Sequence, residues 1–225
     1  MRYAIYFTPA PQSPLHQRGG ALLGYDCYSG VRTPPAGPAD IPAPELAASV
    51  QEAWKYGFHA TIKPPFNLRE GTDASQLQER LADWAANTAP LSIGTMRVAG
   101  PGNFVALEPE TPSLALQMFA AETVAWFDDF RAPLTPADLA RRPPERLTPR
   151  QRALQQRWGY PYVFEAFRFH MTLSDALTRD RLAAWRTALG AWFGPLDLTI
   201  DALTLLAQDE RGGPFRVVSR HRLAG

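Results

Sequence analysis

Two stretches of this chain share one pattern, in which polar and apolar residues alternate around a His-x-Thr core. The first is YGFHATIKPPF, residues 56–66, and the second is FRFHMTLSDAL, residues 167–177. Alternation predicts a β-strand, because successive side chains of a strand point to opposite faces. Each strand would then have an apolar face that packs against helices and a polar face that needs water or a polar ligand. The fold must therefore leave a polar space beside both strands.

The polar faces of the two predicted strands have the same composition: an imidazole, a hydroxyl two residues further on, and a cation. An imidazole has an ordinary pKa of about 6.5, so both protonation states are available near neutral pH. Two imidazoles on opposite sides of one substrate can act as base and acid in the same turnover. Hydroxyls and cations suit the oxygens of a phosphodiester. The residues on these faces are His59, Thr61 and Lys63 in the first strand and Arg168, His170, Thr172 and Ser174 in the second.

The same order of elements follows each His-x-Thr strand, namely an amphipathic helix and then a pair of strands. A capping box of Asp73 and Gln76 predicts the start of the first helix, and Thr178 precedes the second. The two pseudo-repeats cover about residues 56–110 and 162–225 of a single domain, 1–225. The predicted fold is α+β and bilobal: two mainly antiparallel sheets that face a central cleft, with helices on the outer faces. An N-terminal strand from Arg2 to Thr8 would bring Tyr6 to the substrate.

Two segments interrupt this duplicated layout. Residues 9–44 contain eight prolines, which predicts an irregular loop with a short strand near residues 21–25 and no long helix. Residues 131–157 contain seven arginines against Asp138 and Glu145, within a basic insert of about residues 131–159. Thr-Pro pairs at 135–136 and 148–149 predict two short helices there. Such a basic run is either a solvated face or a contact with an anionic partner, and the sequence leaves both readings open.

Composition favours a cytoplasmic enzyme that acts on a small molecule. The formal net charge of +1 gives no case for a membrane surface and makes RNA a less favoured partner than a small phosphate ester. Cys27 is the single cysteine, so an intrachain disulfide is excluded. No run approaches the about 20 apolar residues that a membrane helix needs. We expect a monomer without a cofactor.

The motifs FHATIK and FHMTLS resemble the paired His-x-Thr motifs of the two-histidine (2H) phosphoesterase superfamily. That superfamily includes cyclic nucleotide phosphodiesterases and RNA 2′,3′-cyclic phosphodiesterases. The form YGFHATIKPPF is most similar to a bacterial branch associated with phosphonate-utilisation operons. The resemblance implies a metal-independent hydrolase that opens a cyclic phosphate of a nucleotide-like or sugar metabolite. It also implies a cleft between two lobes, with four catalytic residues: His59, Thr61, His170 and Thr172.

Several alternatives stay open at this stage. One is an RNA-end 2′,3′-cyclic phosphodiesterase or ligase-like enzyme, and another is a non-catalytic module that binds phosphate or RNA. A zinc site would need a third or fourth ligand, and neither polar face offers a Cys, Asp or Glu. The sequence contains no P-loop fingerprint. The pseudo-symmetry also leaves open which histidine is the base and which is the acid.

Overall fold

Eight strands form one antiparallel sheet in the computed structural model, which describes all residues from 1 to 225. The strands are β1 (Arg2–Phe7), β2 (Ala60–Phe66), β3 (Leu91–Ala99), β4 (Ala106–Pro109), β5 (Met171–Thr172), β6 (Leu196–Ile200), β7 (Ala202–Gln208) and β8 (Arg216–Arg222). The helices are α1 (Pro14–Leu23), α2 (Ala43–Ala48), α3 (Ala74–Ala86), α4 (Leu114–Trp126), α5 (Pro136–Arg141), α6 (Pro149–Trp158) and α7 (Arg179–Phe193). The strand order is β6-β3-β4-β5-β2-β1-β7-β8, which puts the two His-x-Thr stretches at the centre.

The connection between β6 and β7 shows that this sheet is strongly curled. Only Asp201 separates the two strands along the chain, yet β6 is the first strand of the sheet and β7 the seventh. Six strand spacings of about 4.8 Å would separate them by about 29 Å in a flat sheet. One residue cannot span that distance, since consecutive Cα atoms are about 3.8 Å apart. The sheet therefore bends until its two ends meet at Asp201.

The two faces of β1 show how the sheet divides the interior. Tyr3, Ile5 and Phe7 point into a large core of 41 buried residues, to which α3, α4 and α7 contribute. Ala4 and Tyr6 point the other way, into a cluster of six buried residues. This second face borders the candidate site described below. The other members of its cluster are Tyr25, Cys27, Leu206 and Phe215.

The predicted α+β class is confirmed, but the predicted pair of separate sheets is not what the chain forms. The halves β6-β3-β4-β5 and β2-β1-β7-β8 join into one sheet where β2 and β5 pair. That junction is a single residue pair, Ala60 with Met171. The internal duplication stays a prediction. No helix is both long enough and apolar enough to cross a bilayer.

The Pro/Gly-rich segment holds a helix that the sequence analysis did not predict. Helix α1 begins after Ser13, whose hydroxyl accepts a hydrogen bond from the backbone N–H of His16, and it ends at Gly24 in the left-handed conformation. Gly19 lies inside it because the ring of Phe58 fills the space of a side chain there: an added Cβ would lie 2.2 Å from that ring. The predicted strand near residues 21–25 is reduced to one bridge, Tyr25 with Arg32.

The predicted helix starts are confirmed, but the second predicted strand is much shorter than expected. The capping box of Asp73 and Gln76 is present, and the two Thr-Pro starts of the basic segment open α5 and α6. Helix α4 begins after Ser113, whose hydroxyl oxygen accepts a hydrogen bond from the backbone N–H of Leu116. The second His-x-Thr stretch, predicted as a strand, pairs only at residues 171–172. A 3₁₀ turn with φ of 53° at Phe164 occupies Phe164–Ala166, shortly before this stretch.

Candidate functional site

A cleft of ≈ 210 Å³ lies on the sheet face opposite the large core, where β2 and β5 meet. It brings together His59, Thr61, His170 and Thr172, the four residues of the paired motifs. Tyr6 of β1 also lines it, as strand facing predicted. The structure therefore puts both imidazoles and both hydroxyls beside one space, although residues 59 and 170 are 111 positions apart in the chain.

Both imidazoles are held by the same local hydrogen bond. Nδ1 of His59 lies 2.9 Å from the carbonyl oxygen of Gly57, and Nδ1 of His170 lies 2.9 Å from that of Arg168. A carbonyl oxygen only accepts, so each Nδ1 carries a hydrogen and donates it. The proton that titrates therefore sits on Nε2 in both residues. This bond fixes the ring orientation as well as the tautomer.

The surroundings of His59 keep its imidazole neutral. Its ring stacks on Tyr6, with 3.9 Å between the centroids and 24° between the planes. Its Nε2 lies 3.1 Å from the hydroxyl oxygen of Thr61, which donates to the neutral ring. Burial lowers the pKa of His59 to about 4, and the positive charge of His170 acts in the same direction. The bond to Gly57 opposes this shift without cancelling it. At neutral pH His59 can therefore accept a proton.

Lys63, predicted to share the polar face of His59 and Thr61, lies on the opposite side of the sheet. Ile5 of β1 pairs with Lys63, but the next residue, Tyr6, pairs with Thr61, so β2 carries one extra residue at this point. Such a β-bulge reverses the facing of the residues beyond it. The ammonium of Lys63 is buried and donates to the carbonyl of Val124 at 3.0 Å.

Lys63 belongs to an ion network that anchors the basic insert. Its Nζ lies 3.4 Å from Asp128, which also binds Arg131 at 2.8 Å and Arg157 at 3.0 Å. Burial lowers the pKa of Lys63 to about 8, while Asp128 opposes that shift. Since Arg131 precedes α5 and Arg157 lies near the end of α6, one carboxylate ties both ends of the insert to the turn after α4.

Arg168 and Ser174 also lie away from the cleft, which corrects the prediction that they face it. The side chain of Arg168 is exposed and bonds the carbonyl of Phe167 at 2.9 Å. Ser174 is buried, and its hydroxyl oxygen accepts from the backbone N–H of Val105 at 3.0 Å. The physical reason is that only two residues of this stretch pair as a strand, so the alternation does not extend to its ends. Arg168 contributes its carbonyl oxygen, which holds His170.

Sequence reasoning missed most of the cleft wall, which comes from the insert and the N-terminus. Arg141 and Arg142, at the end of α5, and Gln155 of α6 line the cleft together with the histidines. The signal was present as the arginine excess of residues 131–157, but a charge run alone does not show which way it faces. No three His, Cys, Asp or Glu side chains are grouped as metal ligands would be. The further lining residues include Arg2, Tyr56, Leu134, Asp138 and Tyr160.

This α+β chain with a two-histidine cleft belongs to the DUF1045 family, described as a protein family of unknown function. Residues 61–216 match the family. The cleft residues Thr61, His170 and Thr172 fall inside the matched region, and His59 lies two positions before it.

Two curated relatives carry the name ribose 1,5-bisphosphate phosphokinase PhnN. The one from Janthinobacterium sp. (strain Marseille) is 38% identical over 221 residues, covering 95% of this chain and 49% of that protein. The one from Laribacter hongkongensis is 34% identical over 220 residues, covering 96% of this chain and 50% of that protein. The chain thus spans about half the length of these relatives. Among solved structures, TT0787 of Thermus thermophilus aligns over 100% of this chain and 99% of its own, with 13% identity and a TM-score of 0.44.

Proposed function

We propose that this protein is a metal-independent phosphodiesterase that opens a cyclic phosphate by paired-histidine acid–base catalysis. The observation that carries the proposal is the matched pair of imidazoles in one cleft. Both Nδ1 atoms are held by a carbonyl two residues earlier in the chain, so both Nε2 atoms are the groups that exchange protons. Two imidazoles with the same restraint suit a reaction that needs one proton removed and another supplied.

We assign the roles of the two histidines from the environment of His59. His59 is neutral at neutral pH because burial under Tyr6 lowers its pKa to about 4, so we assign it as the base. It takes a proton from water as the water oxygen bonds to phosphorus. One ring P–O bond breaks, and protonated His170 gives its proton to the leaving oxygen. The products are a phosphate monoester and a free hydroxyl. Thr172 holds a nonbridging oxygen, and the Thr61 hydroxyl turns from Nε2 of His59 to the other nonbridging oxygen when the substrate binds, which frees Nε2 to accept the proton of water.

The names of the relatives support a place in phosphonate metabolism. PhnN is a phosphonate-operon designation, which agrees with the branch that YGFHATIKPPF resembles. The phosphokinase name belongs to proteins about twice as long as this chain, and this chain has no P-loop fingerprint. We therefore propose the ring-opening step, and not the kinase step, for this half. When the ring bond to O2 of a ribose 1,2-cyclic phosphate breaks, the product is a ribose 1-phosphate. The name of the relatives refers to a ribose that carries a phosphate at the same position.

Phosphorus NMR in the presence of chelator tests the proposal. The panel contains nucleoside 2′,3′-cyclic phosphates, ribose 1,2-cyclic phosphate and a short RNA ending in a cyclic phosphate. Wild type should open at least one small cyclic phosphate, and His59→Ala and His170→Ala should each lose a factor of about 10² or more. His221→Ala is the matched control, since His221 bonds Ser219 on β8 outside the cleft. Full activity in either cleft variant would refute the mechanism. If the short RNA were the only substrate turned over, the substrate class would be RNA ends and not small cyclic phosphates.

A further inference from the structure

Three arginines at the cleft have no carboxylate partner. Arg2 of β1 bonds the neutral side chain of Gln208, with 2.9 Å between Nε and Oε1. The guanidinium of Arg142 lies over the ring of Tyr160, 4.5 Å from its centroid. Arg141 forms no ion pair. All three line the space that also holds the two histidines.

Three other arginines of the insert differ, because each of them forms an ion pair with a carboxylate. Arg131 and Arg157 share Asp128, and Arg150 is paired with Glu165. The one carboxylate of the cleft, Asp138, is paired with Arg211 at 2.6 Å and also receives hydrogen bonds from Thr135. These bonds outweigh its burial and hold the pKa of Asp138 at about 2. The carboxylate of Asp138 is thus already paired. The positive charge of Arg2, Arg141 and Arg142 in the cleft is not compensated by any carboxylate.

Arg2 lies close enough to other cations for their charges to oppose its own. Burial lowers the pKa of Arg2, and the charges of Arg141 and Arg211 lower it further. A bound anion would relieve this repulsion. A guanidinium suits phosphate because its planar fork donates two parallel hydrogen bonds to phosphate oxygens.

We propose that Arg2, Arg141 and Arg142 form a second anion subsite, and that the substrate is a cyclic phosphate with an additional terminal phosphate monoester. The inference rests on the proposed function for the first phosphate. A cyclic diester carries a single negative charge, and the two imidazoles and two hydroxyls already serve it. A phosphate monoester carries a charge of about −1.5 to −2 near neutral pH, which matches three cations better. The ring of Tyr56 lies along the same cleft and gives the sugar or nucleoside between the two phosphates an apolar wall.

Matched pairs of substrates test the second subsite. One pair is ribose 1,2-cyclic phosphate with and without a phosphate on O5, and the other is adenosine 2′,3′-cyclic phosphate with and without a 5′-phosphate. Wild type should prefer the member with two phosphates by about 10²-fold in kcat/KM. The double variant Arg141→Gln with Arg142→Gln should reduce that preference to about fivefold or less, mainly through KM. Arg146→Gln is the control, as an exposed arginine of the same insert that does not line the cleft.

A binding measurement separates failure of the subsite from failure of the reaction. Titration calorimetry compares adenosine 2′,5′-bisphosphate with adenosine 2′-phosphate on wild type and on the double variant. Turnover without any preference for the second phosphate would overturn the subsite and leave the proposed function standing. Tighter binding of the bisphosphate that the double variant loses, without turnover of any pair, would support the subsite and count against the proposed reaction. Equal binding and no turnover would overturn both.

Discussion

The imidazole of His59 lies nearly parallel to the ring of Tyr6, with 3.9 Å between their centroids. Tyr6 comes from β1 and pairs with Thr61 of β2, so the stacking ring and the hydroxyl that bonds Nε2 are neighbours across one strand pair. The tyrosine covers the ring face that water would otherwise solvate. Burial of this kind disfavours the charged imidazole, and it is the largest cause of the low pKa of His59.

The first prediction concerns the acid limb of the pH–rate profile. His59 must be neutral to accept a proton, and its pKa is about 4, so kcat/KM should fall only as pH drops through about 4. An ordinary histidine would give a limb at about 6.5. The full profile should be bell-shaped, because the acid must be protonated at the same time. An acid limb centred near pH 6.5, or a profile that changes in one direction only, would contradict the assignment of His59 as the base.

Replacing the stacking ring should move that limb. In Tyr6→Leu, water reaches the imidazole, and its pKa should rise toward the ordinary value. At pH 5 the neutral fraction then falls, which lowers kcat/KM by about tenfold when the pKa reaches about 6. Tyr6→Phe keeps the ring and is the matched control, with an unchanged limb. An unmoved limb in Tyr6→Leu would show that other contacts keep His59 neutral.

Lys63→Met should leave turnover unchanged within about threefold, because Lys63 faces away from the cleft. Asp128 keeps Arg131 and Arg157, so no buried charge is left alone and stability should change by less than about 2 kcal/mol. Asp128→Ala is the contrast: it strands the buried ammonium of Lys63 and should cost about 3–5 kcal/mol. Urea denaturation and steady-state kinetics give both values. A tenfold loss of kcat/KM in Lys63→Met at unchanged stability would place this lysine on the substrate after all.

Gly57→Ala should disturb His59 through the backbone. Gly57 has φ of 68°, and a Cβ there would lie 2.7 Å from the Cβ of Cys27. We expect a loss of about 2–4 kcal/mol in stability, from left-handed strain plus this overlap, and a lower kcat/KM because the Gly57 carbonyl orients the imidazole. Urea denaturation and steady-state kinetics measure the two effects separately.

The control for that variant is Gly71→Ala. Gly71 has φ of 83° and no atom within 4 Å of an added Cβ, so only the conformational strain remains. It should cost about 1 kcal/mol and leave kcat/KM unchanged. Equal losses in the two variants would show that contact with Cys27 is not what fixes the position of Gly57.

The four motif residues could be placed from sequence because their spacing of two is a property of the strand itself. Lys63 could not, since the bulge that turns it away depends on how β1 pairs with β2. Helix α1 was missed for a similar reason: its Gly19 is matched by the ring of Phe58, a contact across 39 positions of chain. The arginine-rich insert indicated its charge but not its direction, which Asp128 sets from outside the insert. In each case a contact between distant segments decided the outcome.

The one-residue connection at Asp201 limits how the sheet beside the histidines can move. Asp201 links β6 directly to β7, so the first and seventh strands of the sheet are covalently joined by one residue. The two ends of the sheet therefore cannot move apart by a hinge motion. The carboxylate of Asp201 also binds Arg220 of β8 with both oxygens at 2.7 Å, which secures the connection from a third strand. The part of the cleft wall formed by α5 and α6 is joined to the turn after α4 by the ion pairs of Asp128 with Arg131 and Arg157. Neither helix is held by strand pairing. The sheet therefore gives the cleft a floor of fixed shape, while Arg141 and Arg142 lie on a part of its wall that no strand pairing holds.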